Sequence, residues 1–265
     1  MGILDDILAT KRDEVTLLHQ PQTRNAIRRA AVEALPTRDF AGSLRRPDGH
    51  LAVVAEIKRR SPSKGDLDPD LDPSKRASDF ESGGASALSV LTDGPYFGGR
   101  AQDLRLTREA VGLPILRKDF VIAEIQLFEA RALGADAVLL IVAALDDATL
   151  RDLREAATDL GLAALVETHD EAEIERALSA GARIVGINNR SLQSFSEDLG
   201  IAERLGSLLP TEVIRIGESA VRTVADAQRM ADAGLDAVLV GEAFSRCPDP
   251  AALCAQMAAA FVAKS

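Results

Sequence analysis

A chain of 265 residues with 46% apolar but only 3% aromatic residues must build its core from Ala, Val, Leu and Ile, and its length suits one barrel domain of about 250 residues. A net charge of −10 opposes binding to nucleic acid or to an anionic membrane surface, so any phosphate held here must be small and locally gripped. The most apolar stretch, residues 137–145, is less than half of the ~20 residues that span a bilayer, which argues against a membrane-crossing helix.

The opening MGILDDILATKRDE has acids where a signal peptide needs an apolar centre, and Asp6 stands where an N-myristoylation pattern needs Ser or Thr. Neither export nor a lipid anchor is expected. Ile3, Leu4, Ile7, Leu8, Val15 and Leu18 recur at helical spacing over residues 3–19, and a second amphipathic stretch covers 24–34, so residues 1–45 read as a helical extension.

From residue 51 the pattern changes to short apolar runs alternating with amphipathic helices. The runs are 51–57, 87–91, 114–118, 136–141, 162–167, 183–188, 212–216 and 236–240. Eight strands at a spacing of roughly 25 residues predict an α/β fold, a (β/α)8 TIM barrel over residues 46–265 that forms one structural domain with the extension. GADAVLL at 134, GARIVGI at 181 and GLDAVLV at 234 each place a Gly between a helix and a strand, where a left-handed C-cap is expected. A doubly wound sheet would normally carry GxGxxG after its first strand, and that fingerprint is absent. Near the end of the chain, Cys247 and Cys254 show no CxxC and no neighbouring His pair, so they read as reduced structural thiols in a cytoplasmic protein.

In such a barrel the site lies at the C-terminal ends of the strands. Several runs stop there on a polar group: Glu56 with Lys58 two residues on and hence on the same strand face, Lys118, Glu167 and Asn188. An internal ion pair would explain Glu56 and Lys58 alone, but five polar groups converging from four strands are too costly for a core. The SPSKG segment at 61–65 offers hydroxyls and a lysine to an anion. Strand seven leads into Gly217-Glu218-Ser219 and strand eight into Gly241-Glu242, the usual phosphate position of this fold. Simple turn chemistry is the alternative for these loops, and a sugar-phosphate-like substrate is the leading expectation.

The stretches AEIKRRSPSKG (55–65), LTDGPYFGG (91–99), LRKDF (116–120), ADAVLLIVAAL (135–145), LVETHD (165–170) and GINNRSL (186–192) stand in an order that resembles the indole-3-glycerol-phosphate synthase family of tryptophan biosynthesis. The opening ILDDILATKRDEV is similar too, so the resemblance covers nearly the whole chain. It implies ring closure of 1-(2-carboxyphenylamino)-1-deoxyribulose 5-phosphate with loss of carbon dioxide and water, with no cofactor and no metal. It further implies that Lys118 is the general acid, that Glu167 handles protons, and that Glu56 and Lys58 assist; a lysine can act so near neutral pH if burial and Lys58 lower its pKa. Which lysine donates in which step stays open. Ser61, Asn188, Arg190, Ser219, Phe97 and Phe120 are implied in substrate binding, and Ser61, Ser219, Ala220, Gly241 and Glu242 around the phosphate.

One departure stands out: the family reads Glu-Ser-Gly after strand seven, and this chain has Ala220 in the third place. If that position needs a positive φ, alanine is strained there, unless Gly217 relieves the loop. Two other readings are a phosphoribosylanthranilate isomerase, whose Cys and Asp pair has no counterpart at an early strand end, and a non-catalytic or altered-substrate barrel paralogue. The partner expected is a small phosphorylated molecule, with no nucleic acid and no membrane, and the chain is expected to be a monomer or weak homodimer.

Overall fold

The computed structural model describes residues 2–45, 49–191 and 196–261. Residues 46–48, where the extension was expected to give way to the barrel, and Leu192 of the GINNRSL stretch lie outside the described residues.

Eight parallel strands close into a barrel: β1 (Ala52–Ile57), β2 (Ala87–Leu91), β3 (Ile115–Lys118), β4 (Ala137–Ile141), β5 (Ala163–Thr168), β6 (Ile184–Asn188), β7 (Ile214–Glu218) and β8 (Ala237–Val240). Each strand pairs with its sequence neighbour, and β8 closes the ring on β1 through Ala52 beside Ala237 and Val54 beside Leu239. The expected strands agree with these to within one residue, except that β7 was read as 212–216. It runs on through Gly217 to Glu218. Gly217 is therefore no turn and gives the following loop no relief: a Cβ there would lie 2.9 Å from Leu235 Cδ2 and 3.3 Å from Met230 Sδ. Its role is to let β7 approach the layer outside the barrel.

Two apolar layers result. Ala52, Val54, Leu116, Leu165 and Ile216 fill the barrel interior, while Val53, Leu88, Val138, Val185 and Val238 face the surrounding helices. The period-2 alternation of a strand buried on both faces accounts for near-continuous apolar runs. Gly134 ends α7 (Glu124–Leu133) at φ 91°, and Gly181 and Gly234 share its positive φ, as the αβ-junction pattern predicted. Both cysteines are free thiols. Among the described residues, no helix is long and apolar enough to cross a membrane.

The N-terminal extension touches the barrel at three levels. α1 (Ile3–Leu18) lies at the mouth, where Ile3, Leu4 and Ile7 wall the cavity. α2 (Pro21–Glu33) packs along α7 on the flank. α3 (Phe40–Leu44) carries Phe40 and Leu44, both almost fully buried, into the interior cluster that includes Ala52, Ile184, Ile214 and Ala237 at the strand starts. Just before it, the Arg38 backbone N–H donates to Asp136 Oδ1 at 2.7 Å, and Arg108 reaches both oxygens of the same carboxylate.

Candidate active site

The strand ends place their polar residues around one cavity at the barrel mouth. Glu56, Lys58, Phe97, Lys118, Phe120, Glu167, Asn188, Arg190, Ser219, Ala220, Gly241 and Glu242, all singled out from sequence, line it. Ser61 does not. It is buried in a short antiparallel pairing of Arg60–Ser61 with Gly65–Asp66, and Pro62 and Ser63 face the cavity in its place.

Lys118 is the centre. Its Nζ donates to Glu167 Oε2 at 3.0 Å and to Glu218 Oε2 from β7. Burial alone would depress its pKa, but the carboxylates of Glu218, Glu167 and Glu56 outweigh burial and hold it well above the ordinary lysine range. The expectation that burial and Lys58 would lower it is thus overturned. The charge of Lys58 is taken up by Glu56, whose Oε1 accepts from Lys58 Nζ at 2.6 Å.

The two carboxylates on Lys118 are not equivalent. For Glu167, burial raises the pKa, but Lys118 and His169 with a hydrogen bond from Asn188 Nδ2 at 3.1 Å pull it below the usual carboxylate range. For Glu218, burial raises it, Lys118 lowers it, and the nearby charge of Glu167 lifts it above that range. Glu218 Oε1 also has no hydrogen-bond partner. The arrangement favours an ionised Glu167, a cationic Lys118 and a Glu218 poised to hold a proton.

Glycines make the room. A Cβ on Gly186 would sit 2.0 Å from Glu218 Oε1, and one on Gly241 would sit 2.2 Å from Glu56 Oε1 and 2.8 Å from Lys58 Nζ. Ser219 and Ala220 follow β7 with φ of 62° and 63°, so Ala220 does occupy the left-handed region where glycine is favoured. On the far rim, Arg190 donates from Nε to Glu197 Oε1 at 2.8 Å, from Nη2 to Glu242 Oε2 at 3.3 Å and from Nη1 to Ser63 Oγ at 3.2 Å. Its guanidinium, implied from sequence in substrate binding, is occupied by the protein's own acids.

Sequence reasoning missed Glu218, Glu197, His169 and Lys11. Glu218 carried a usable signal, since IRIGE ends on a charge as the other runs do. Lys11 carried none: it sits on an amphipathic helix where a lysine is normally solvated. Here it is 1% exposed, with Nζ 2.7 Å from Glu14, 3.0 Å from Asp93 and 2.9 Å from Asp119. Asp93 also accepts from the backbone N–H groups of Tyr96 and Phe97, and Asp119 from that of Phe120. One lysine on α1 thereby ties down the backbone behind both aromatic walls, whose ring centroids are 6.1 Å apart.

Breaking a buried ion pair from one side costs about 3–5 kcal/mol. Lys11→Met is therefore expected to release α1 from the mouth, and limited proteolysis should cut within residues 3–18 while the barrel stays intact. Unchanged protease resistance would mean that the apolar contacts of Ile7 and Leu8 suffice to hold the helix.

A family model described as "Indole-3-glycerol phosphate synthase" matches residues 4–257. The protein of that name from Laribacter hongkongensis (strain HLHK9) is 46% identical over 258 residues, covering 96% of this chain and 98% of its own. The "Indole-3-glycerol phosphate synthase 2" of Streptomyces coelicolor is 47% identical over 249 residues, covering 94% of this chain and 96% of its own. Among solved structures, 3-hexulose-6-phosphate synthase from Salmonella typhimurium matches with a TM-score of 0.62 over 78% of this chain and 97% of that one. At 15% identity this is a likeness of fold alone.

Proposed function

The chain belongs to the indole-3-glycerol phosphate synthase family, and from that premise we propose that it closes the pyrrole ring of 1-(2-carboxyphenylamino)-1-deoxyribulose 5-phosphate, a lyase step of tryptophan biosynthesis. The observation that carries the chemistry is the Lys118 ammonium held between Glu167 and Glu218 in a cavity walled by Phe97 and Phe120. The ring carbon that bears the carboxylate attacks the ribulose carbonyl carbon, and the carbonyl oxygen gathers negative charge. Lys118, kept protonated by its carboxylate neighbours, stabilises that oxygen and protonates it. Carbon dioxide then leaves, returning its bonding electrons to the ring. In the last step the new hydroxyl departs as water: it takes a proton from an acid, and a carboxylate takes the ring proton. The ionised Glu167 suits the acceptor and the proton-holding Glu218 the donor.

Glu56 and Lys58 form the adjoining pair that orients the substrate, and Asn188 holds Glu167 in place. Arg190 is the residue to take a substrate anion, exchanging Glu197 and Glu242 for it. The phosphate fits the loops after β7 and β8, with Ser219, Ala220, Gly241 and the first N–H groups of the short helix α12 (Glu242–Arg246) around it. The same reading makes residues 1–45 a helical extension of one structural domain and the protein a cytoplasmic monomer or weak homodimer.

The test is a fluorescence assay of the purified protein with this substrate, following the indole product without added metal. Turnover supports the assignment. Tight binding without turnover would favour a non-catalytic barrel, and absence of binding would send the search to other phosphorylated sugars.

Ala220 gives an expected gain. An alanine in the left-handed region costs about 1 kcal/mol relative to glycine. Ala220→Gly should relax the loop and lower KM several-fold with kcat little changed. An unchanged or higher KM would show that the strained loop already presents its N–H groups well.

A further inference from the structure

His169 is the residue just after β5, and nothing in the chemistry above uses it. Its Nδ1 lies 3.0 Å from Glu173 Oε2, on α9 (Glu171–Ser179), and the same oxygen accepts the His169 backbone N–H at 2.8 Å. Two bonds to one carboxylate fix the ring and put a proton on Nδ1. Nε2 is thereby turned inward, where it is buried without a hydrogen-bond partner and faces Glu167 Oε1 at 3.5 Å. A neutral imidazole in this pose would aim a lone pair at a carboxylate, whereas an imidazolium aims an N–H at it.

We propose that His169, clamped by Glu173, is a positioning residue that decides which of the two carboxylates flanking Lys118 carries the negative charge. It presents its cationic edge to Glu167 on β5, while the ion pair that Glu218 on β7 makes among the described residues is with Lys118. Among the described residues, the groups whose charge acts on the ring are Glu173, Glu167 and Glu218, all of them acids. Although burial disfavours the charged ring, these acids raise its pKa above the ordinary value, in keeping with the geometry. Resting on the synthase reading, this assigns the proton-accepting role to Glu167 and the proton-holding role to Glu218 through a third residue, instead of through any difference between the two side chains themselves. The purely structural alternative is that Glu173 serves the backbone at the start of α9 and the ring merely packs there.

Histidine NMR and pH kinetics separate the two. The chain has three histidines, so the His169 ring signal is identified by its loss in His169→Asn. It should titrate above the ordinary histidine range and move to lower pH in both Glu167→Gln and Glu173→Gln. Glu173→Gln keeps an oxygen for the His169 backbone N–H and so preserves the helix start. In the assay, His169→Asn should lower kcat about ten-fold with KM within about two-fold. The acidic limb of its kcat profile should move to higher pH, because Glu167 would take a proton more readily. A His169 titration unmoved by Glu167→Gln, or an acidic limb left in place by His169→Asn, would overturn the proposal. The NMR result does not depend on turnover, so failure of the synthase assay in the unaltered protein remains a separate outcome.

Discussion

Lys118→Met is expected to lower kcat by about 100-fold or more, the usual size of a lost acid-base group, while the protein still folds. Methionine fills a similar volume but leaves Glu167 and Glu218 buried side by side with no ammonium between them. At least one must then keep a proton, with a folded-state pKa raised above its unfolded value. A group shifted that way contributes stability fully below its unfolded pKa and loses it as pH rises through the folded one. In the unaltered protein Glu218 is raised as well, but less far because Lys118 opposes the shift, and Glu167 is shifted the other way, so its contribution is present above its unfolded pKa and lost as pH falls. The Tm gap between protein and variant should therefore widen from pH 5 to pH 8. Measuring kcat together with Tm across that range checks both halves. A variant with near-normal kcat would remove Lys118 from the chemistry.

The second large effect concerns the carboxylates. Glu167→Gln and Glu218→Gln should each reduce kcat by about 100-fold, but with different pH signatures. Removing Glu167 deletes the group that must be ionised, so the acidic limb of the profile should vanish. Removing Glu218 deletes the group that must hold a proton, so the limb on its alkaline side should vanish. In either variant Lys118 keeps one partner, which limits the structural damage. Near-normal turnover in Glu218→Gln would reduce that residue to a counter-ion.

The barrel and most of its mouth were legible because strand periodicity and a charged terminus are local signals. AVVAEI, ILRK, AALVET and IVGIN deliver Glu56, Lys118, Glu167 and Asn188 to the cavity. Glu218 was passed over because Gly217 looked like a turn, and only the closeness of Leu235 and Met230 shows why a strand needs glycine there. The direction of the Lys118 shift could not be read either. It depends on the charge brought across the barrel by β7, and a pKa is decided by three-dimensional neighbours. Lys11 was hidden for the same reason, since its partners Asp93 and Asp119 follow β2 and β3 in a part of the chain remote from α1.

The three-level attachment of the extension also bears on how the molecule comes together. Phe40 and Leu44 share their apolar cluster with Ile214, Ile216 and Ala237, residues synthesised near the other end of the chain. A segment that leaves the ribosome early thus has no complete seat until β7 and β8 have been made and the ring has closed. Contacts so distant in sequence carry a high loop-closure cost and form late. The consequence is an order of assembly in which α3 is made before most of the barrel and locked only once the ring has closed. Until then, the floor of the barrel that α3 covers is open, which makes the nearly closed barrel the stage most exposed to association with other chains.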